Sequence, residues 1–491
     1  MNFETWQLNY IRGAAYDVKI AASAALVMLA MMLAVPLPTQ AQLTVLHTFA
    51  GYNGPDGANP SAGLSMDTTT GYLYGTTVYG GKTSQGGSSS YGSVFQVIPS
   101  GSNSPTTLLY SFTGQSDGAA PASRVVFAPD GDLFGTTAAG QTDNCNGVGG
   151  CGTIFRLHST LGGASWVFNT LYTFRGASGD GSDPYGELAF DGSTLYGTTR
   201  YGGSGGGIAS SGQANCVANN SSATPYGCGT VFEMHTVPPP GQSDDPTILW
   251  NFDSSTANCN ATLDGIEPIG GVVMDSNSNL LGTTVIGGDS STYFGYGTVF
   301  QLTPSGVEDV LENLDDGSHG GYTFGSLYSQ SSSGPFYGSA ADAGGTGNDG
   351  VAFDLTSASL TCGSWMWNYL TSFPILGYPN NPTGAKLDLL GPRATLVMYN
   401  GNLYGTQTTG GDYNYGAIFE IPCSGGSCST PNTLYSFMGG SDGAYPQGGL
   451  VVDGNGNLYG TTYSGGQANC VFDSSGKKNI LGCGVVFEYM P

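Results

Sequence analysis

A five-residue phrase recurs seven times along this chain and limits what it can fold into. It reads Leu73-Tyr74-Gly75-Thr76-Thr77, Leu133-Phe134-Gly135-Thr136-Thr137 and Leu195-Tyr196-Gly197-Thr198-Thr199. It returns as Leu280-Leu281-Gly282-Thr283-Thr284, Phe336-Tyr337-Gly338-Ser339-Ala340, Leu403-Tyr404-Gly405-Thr406-Gln407 and Leu458-Tyr459-Gly460-Thr461-Thr462. The glycines are 60, 62, 85, 56, 67 and 55 residues apart. The context recurs too. An apolar segment such as Leu450-Val451-Val452 precedes the phrase; a Gly-Gly loop, a Gly-x-Val-Phe segment, a Leu-x-x-Phe segment and Asp-Gly-x-x-Pro follow it. Self-similarity at this period marks a repeat architecture.

Each repeat holds four apolar runs, here lettered A to D, with the phrase as B. They are rich in Val, Leu, Phe, Tyr and Thr and bounded by Gly, Asn, Asp, Ser or Pro, which is the pattern of short strands and turns. Long helices are excluded, because 82 of the 491 residues are glycine and each glycine in a helix interior costs about 1 kcal/mol. Period-two alternation sends Leu, Gly and the second Thr of the phrase to one face, Tyr and the first Thr to the other. Seven units of four antiparallel strands predict an all-β, seven-bladed β-propeller. The termini separate it from an open solenoid. The segment Val45–Phe49 is a D strand without its blade, and Val485–Tyr489 is a C strand without its D. The first is expected to complete the last blade and leave no exposed edge.

The recurring Leu-Tyr-Gly-Thr-Thr-x-x-Gly-Gly with Gly-x-Val-Phe resembles the GloVer tandem repeat of exported "choice-of-anchor" bacterial proteins, over residues 43–491. The resemblance implies an extracellular or envelope-associated propeller and brings no activity and no catalytic residues. Two departures stand out: the fifth copy has Ser339-Ala340 in place of Thr-Thr, which predicts a blade with its own packing, and the sequence shows no C-terminal sorting segment.

Residues 1–41 read as a secretory signal peptide: Arg12 and Lys19, an uncharged run from Ile20 to Val35, then Thr39-Gln40-Ala41 as the cut site. This divides the chain into a leader, 1–41, and one propeller domain, 42–491, of seven repeats averaging about 64 residues. The expectation is a secreted or periplasmic monomer, with no membrane span once the leader is cut. Ten cysteines follow the leader, eight in close pairs: Cys145–Cys151, Cys216–Cys228, Cys423–Cys428 and Cys470–Cys483 are expected disulfides, whereas Cys259 and Cys362 have no local partner. A net charge of −24 excludes a phosphate-tracking nucleic-acid binder and electrostatic attraction to anionic membranes.

Several motifs can be read as chemistry or as turns. Gly114–Gly118 and Gly439–Gly443 fit Gly-x-Ser-x-Gly, but both fall between strands D and A without the helix of a nucleophile elbow. The glycine run 202–207 lacks the helix and Lys of a phosphate loop. Asp275-x-Asn277-x-Asn279 and Asp453-x-Asn455-x-Asn457 begin like calcium loops, lack their later ligands, and sit at A–B hairpins. Asp-Gly between D and A recurs at Asp56, Asp117, Asp180, Asp264, Asp316 and Asp442. Turn chemistry accounts for it; the functional alternative is a carboxylate ring that holds Ca²⁺. The B–C loops share the face of the D–A loops, and Tyr79, Tyr201, Tyr226, Tyr293, Tyr413 and Tyr463 are candidate platforms there for an extracellular sugar or polysaccharide; strand-end packing is the plainer account of them. The reading is a non-enzymatic binding or structural module. Its rival is an extracellular carbohydrate-active hydrolase or lyase with two channel-face carboxylates.

Overall fold

The computed structural model describes residues 42–52, 54–81, 91–140, 150–160, 163, 165–176, 180–203, 227–237, 243–252, 264–288, 295–315, 319–341, 348–357, 365–374, 391–425, 427–466, 470–471, 478–479 and 482–491. Leu43–Met490 forms one compact unit. It is all-β, a seven-bladed propeller. The first blade runs Ser65–Met66, Leu73–Thr77, Ser93–Val97 and Thr106–Ser111, hydrogen-bonded in that order. The second to fourth blades repeat the order around Leu133–Thr137, Thr194–Thr199 and Leu280–Thr284, and the sixth around Asn402–Gln407. In the seventh, Val451–Val452, Leu458–Thr462 and Val485–Met490 are joined at the outer edge by Gln42–Thr48. The closure expected from the termini is therefore present. No helix among the described residues is long and apolar enough to cross a membrane.

The recurrent phrase has a packing reason at each letter. Its glycine lies under the phenylalanine of strand C. A Cβ on Gly75 would stand 2.5 Å from the Phe95 ring, and one on Gly197 2.6 Å from that of Phe232; the same contact recurs in every blade. The ring needs the space that only glycine leaves. At that phenylalanine the C–D ladder slips register, as at Val94/Phe95 and Ile418/Phe419, a bulge that adds twist to the outer half of the blade.

The first hydroxyl of the phrase crosses to the next blade. Thr76 donates to the Ser123 carbonyl (3.0 Å), Thr136 to Pro184 (2.9 Å), Thr198 to Gly270 (2.9 Å) and Thr283 to Gly325 (3.4 Å). Ser339 reaches Ala394 (3.3 Å), Thr406 reaches Gly448 (3.0 Å), and Thr461 reaches Ala62 (2.8 Å), which closes the circle. The second Thr stays within its blade, where the hydroxyls of Thr77, Thr137, Thr199 and Thr284 meet those of Ser93, Thr153, Thr230 and Thr298 at 2.7–2.9 Å. Period-two alternation is thus realised as one face toward each neighbouring blade.

The fifth blade departs as its sequence does. It has three strands, Phe336–Ala340, Asn348–Ser357 and Trp365–Pro374, and a single bridge, Tyr328 to Tyr337, stands where strand A would be. Trp367 stacks on Phe353 with ring centroids 4.0 Å apart.

Candidate ligand site

The D–A connections turn inward onto the propeller axis, and in six of the seven one residue carries the bend. Asn59, Ala120, Asp183, Glu267, Tyr322 and Tyr445 all have φ between +53° and +58°. Non-glycine residues rarely adopt this region. Each is tied on both sides: Asn59 N–H donates to the Cys483 carbonyl and its carbonyl accepts from Val78 N–H, and Asp183 N–H donates to Cys151 while its carbonyl accepts from Arg200 N–H. The D–A loops also bridge the ends of strand B, Ala58 to Tyr79, Ser182 to Tyr201 and Ala444 to Ser464, so the B–C and D–A loops do share one face.

The three residues that follow, beginning two positions past the bend after Pro60, Pro121, Pro184, Pro268, Thr323, Pro392 and Pro446, supply most of the wall of an axial cavity of about 350 Å³. At the middle position all seven are small: Ala62, Ser123, Gly186, Gly270, Gly325, Ala394 and Gly448. At the first position no two are alike. Ser61, Ala122, Tyr185, Ile269, Phe324, Arg393 and Gln447 ring the cavity. At the third position Arg124 and Glu187, on adjacent blades, form an ion pair at 2.8 Å. The Arg393 guanidinium lies over the Phe324 ring at 4.1 Å, a cation–π contact that fixes a long side chain. Thr408, just past the end of a strand B, lines the cavity with 7% of its surface exposed, and its hydroxyl has no hydrogen-bond partner among the described residues.

At the same end lies an aromatic and charged rim. Tyr52 and Tyr79 stack at 5.1 Å. Burial pushes the Tyr463 hydroxyl up to about 12, with Tyr79, Tyr185 and Tyr52 near enough to add to the shift. Arg200 binds Glu267 at 3.0 Å and covers the Tyr201 ring at 4.7 Å; burial pushes Tyr201 up to about 12. Burial also holds Asp183 up at about 6, against the pull of Arg200 and with the push of Glu267.

Of the six candidate tyrosines, Tyr79 and Tyr463 come together, Tyr201 sits on the adjoining charged stretch, and Tyr413 stands apart with 54% of its surface exposed. Tyr226 and Tyr293 lie outside the described residues. Sequence reasoning missed Tyr52, Tyr185, Arg124, Glu187, Arg393 and Gln447. One signal was available for all but Tyr52: each falls within three residues after the D–A proline, at positions where the repeats disagree.

The aspartates of the D–A loops turn back onto their own strands. Asp117 accepts from the Tyr110 hydroxyl (3.0 Å), Thr113 N–H (2.7 Å), the Thr113 hydroxyl (2.6 Å) and Gln115 N–H (3.1 Å). Asp180 and Asp442 hold Tyr172 and Tyr435 in the same way, at 2.7 and 3.0 Å. Asp56 holds His47 of the closing strand at 2.9 Å. Asp264 is buried, and Asp316 lies outside the described residues. By backbone register the equivalent position in that blade is His319, whose Nδ1 stands 3.2 Å from the Asp315 carboxylate and 3.6 Å from that of Glu312. Among the described residues no three of His, Cys, Asp and Glu gather as a metal-holding set.

Cys423 and Cys428 form the expected disulfide, across the C–D hairpin of the sixth blade. Cys151, Cys228 and Cys483 are also disulfide-bonded; Cys145, Cys216, Cys259, Cys362 and the Cys470 side chain lie outside what is described. The three bonded cysteines occupy one repeat position, just before strand C, which Tyr91, Tyr296 and Tyr415 fill in other blades.

The fold and this wall of unlike residues define a repeat-built propeller with an axial pocket. The Gloeobacter/Verrucomicrobia repeat profile matches residues 35–208 and 206–472, and the chain belongs to that family. No curated protein matches the sequence. Among solved structures, the PQQ-bound aldose sugar dehydrogenase of Streptomyces coelicolor is similar at 14% identity and a TM-score of 0.39, over 92% of this chain and 98% of that one. The pyranose dehydrogenase PQQ domain of Coprinopsis cinerea is similar at 12% and 0.40, over 93% and 98%. A putative oxidoreductase (glucose dehydrogenase) of Thermus thermophilus is similar at 11% and 0.40, over 92% and 100%. At these values the likeness carries no functional argument.

Proposed function

We propose that the protein is an exported binding module that takes an extracellular sugar or polysaccharide end into its axial cavity, with Tyr52, Tyr79, Tyr185 and Tyr463 as the aromatic surface at the mouth. One observation carries the reading: seven equivalent positions around the axis hold seven different residues, in a chain whose structural positions repeat. Packing would be met by repetition, as it is at the small residue one position further on. A lining of Arg, Glu, Gln, Tyr and Phe around such a hollow has the polar and aromatic composition that ligand pockets use to fix orientation. Bonded cysteines suit an oxidising compartment, in keeping with the leader expected at 1–41. The rival carbohydrate-active enzyme calls for two carboxylates across the cleft; Glu187 is the one carboxylate among the cavity-lining residues described, and Arg124 neutralises it.

The test is a glycan array and polysaccharide-depletion screen on the purified protein, beside Tyr185→Ala and Tyr463→Ala variants. The expected result is retention on a defined set of glycans, lost in both variants at unchanged melting temperature. Equal retention by the variants, or none by the wild type, would remove the axial cavity as a sugar site.

A further inference from the structure

The tyrosines at the cavity mouth continue outward as a row. Tyr463 N–H donates to the Tyr445 carbonyl (3.0 Å), and Tyr445 N–H donates to the Tyr415 carbonyl (2.7 Å). The Tyr445 and Tyr415 rings meet edge to face with centroids 5.8 Å apart. Tyr415 rests on Gly439, where a Cβ would come within 2.6 Å of its ring, so the row is anchored to the scaffold. Two residues before Tyr415, in the B–C loop of the sixth blade, stands Tyr413, the most exposed of the described tyrosines. The fold itself does not ask for this row. The same pair of backbone hydrogen bonds links Ala138 to Ala120 to Tyr91 between the first two blades, and Ala341 to Tyr322 to Tyr296 at the entry to the fifth. Tyr296 and Tyr322 even repeat the ring contact, at 5.7 Å, but the line stops there at an alanine. Among the blade junctions that show this ladder, the one between the sixth and seventh blades has tyrosine at all three positions.

We infer that the ligand is a polysaccharide chain and not a free monosaccharide, and that Tyr445, Tyr415 and Tyr413 form a second binding surface along which the chain runs outward from the cavity. This rests on the sugar-binding reading above. A cavity of about 350 Å³ lies near the small end of ligand pockets, so a chain whose end fills it must leave by the mouth. The way out over Tyr463 leads onto this row, on the face that the B–C and D–A loops share. The C–H hydrogens of a pyranose are weakly positive and suit the negative face of an aromatic ring. Tyr413 offers such a ring still open to water, and covering its apolar surface adds affinity.

The experiment is calorimetric titration of the purified protein with cello-, manno-, xylo- and chito-oligosaccharides, each from monosaccharide to hexasaccharide. The same comparison of long with short chains is made across the glycan array. In the series that binds, affinity is expected to rise about tenfold or more from disaccharide to hexasaccharide. Tyr413→Ala should keep the wild-type melting temperature and weaken the hexasaccharide about fivefold or more, the usual effect of losing an interface aromatic, with disaccharide affinity unchanged. Tyr413→Phe, which keeps the ring, should retain most of the long-chain advantage. Affinity that is flat from disaccharide to hexasaccharide, or a Tyr413→Ala protein that binds long chains as the wild type does, overturns the inference while sugar binding stands. Where binding is seen on the array alone, equal retention of its long glycans by wild type and Tyr413→Ala overturns it in the same way. If no oligosaccharide binds and the array is also blank, the sugar reading falls and this inference falls with it.

Discussion

Along the seams between blades one hydroxyl crosses to the neighbouring backbone seven times, and one phenylalanine covers one glycine seven times. A few residues away, around the axis, Ser61, Ala122, Tyr185, Ile269, Phe324, Arg393 and Gln447 share a backbone position and nothing else. Both regions are built from the same repeats under the same geometry. Where a task is identical in each blade, the residue is identical. Where the residues diverge, no requirement is shared by all seven blades, and the proposed sugar, which lacks seven-fold symmetry, would impose none. Substitutions at the seam should therefore act on stability, and substitutions at the axis on binding.

The heaviest blow to the seam is removal of residues 42–48. The last blade would lose its outer strand and expose Val485–Met490 as an edge. Aggregation during refolding, or a melting temperature too low to keep the protein folded at 37 °C, is expected by light scattering and calorimetry. Next comes the glycine–phenylalanine contact. Phe300→Ala, under which Gly282 lies, should cost about 3–5 kcal/mol by denaturant unfolding. Gly282→Ala should cost about 1–3 kcal/mol through overpacking. A loss below about 1 kcal/mol in either would mean that the ring and glycine do not share a dry core.

A pH effect of intermediate size separates the two regions further. Asp183 sits at the bend beside the axis, and burial raises its carboxyl to about 6 from 3.8. A raised acid pKa means that the folded chain holds its proton more tightly than the unfolded chain. The associated stability is full below about pH 4 and is lost as pH climbs through 6, on the order of 3 kcal/mol for a shift of this size. Asp183→Asn should flatten that slope, measured as melting temperature against pH, and match the wild type only at the acid end. Thr198→Val should cost about 1–2 kcal/mol at every pH, because the Gly270 carbonyl loses its donor. Smallest of all, Gln447→Ala should change stability by less than about 0.5 kcal/mol while it weakens ligand retention.

How much could be read in advance follows the same division. The propeller, its blade count, the strand order and the closure by the N-terminal strand were legible because each structural requirement was written seven times. The turn function of Asp117, Asp180 and Asp442 was legible for that reason too. Asp316 shows the limit: the fifth repeat slides by a few residues, and backbone register brings His319 to the equivalent place, opposite Glu312 where other blades have tyrosine. Only the backbone reveals that exchange. The axial wall was illegible because a search for repetition discards the positions that fail to repeat. Arg124 and Arg393 are 269 residues apart in a chain with no motif around either, and the ring alone brings them to one cavity.

The closing strand also dictates when the protein can finish folding. Six of the seven sheets draw every strand from one local stretch of chain, so each can form while synthesis is still under way. The seventh joins residues more than four hundred positions apart, as when Asn59 Nδ2 donates to the Tyr463 carbonyl beside it. Whichever end leads, Gln42–Thr48 must wait as an unpaired, half-apolar ribbon until Val485–Met490 arrives. Contacts of such long range are the slow ones. The ring is thus a clasp that locks last, and until it locks the earliest and latest parts of the chain are the ones open to mispairing, proteolysis or a chaperone's grip.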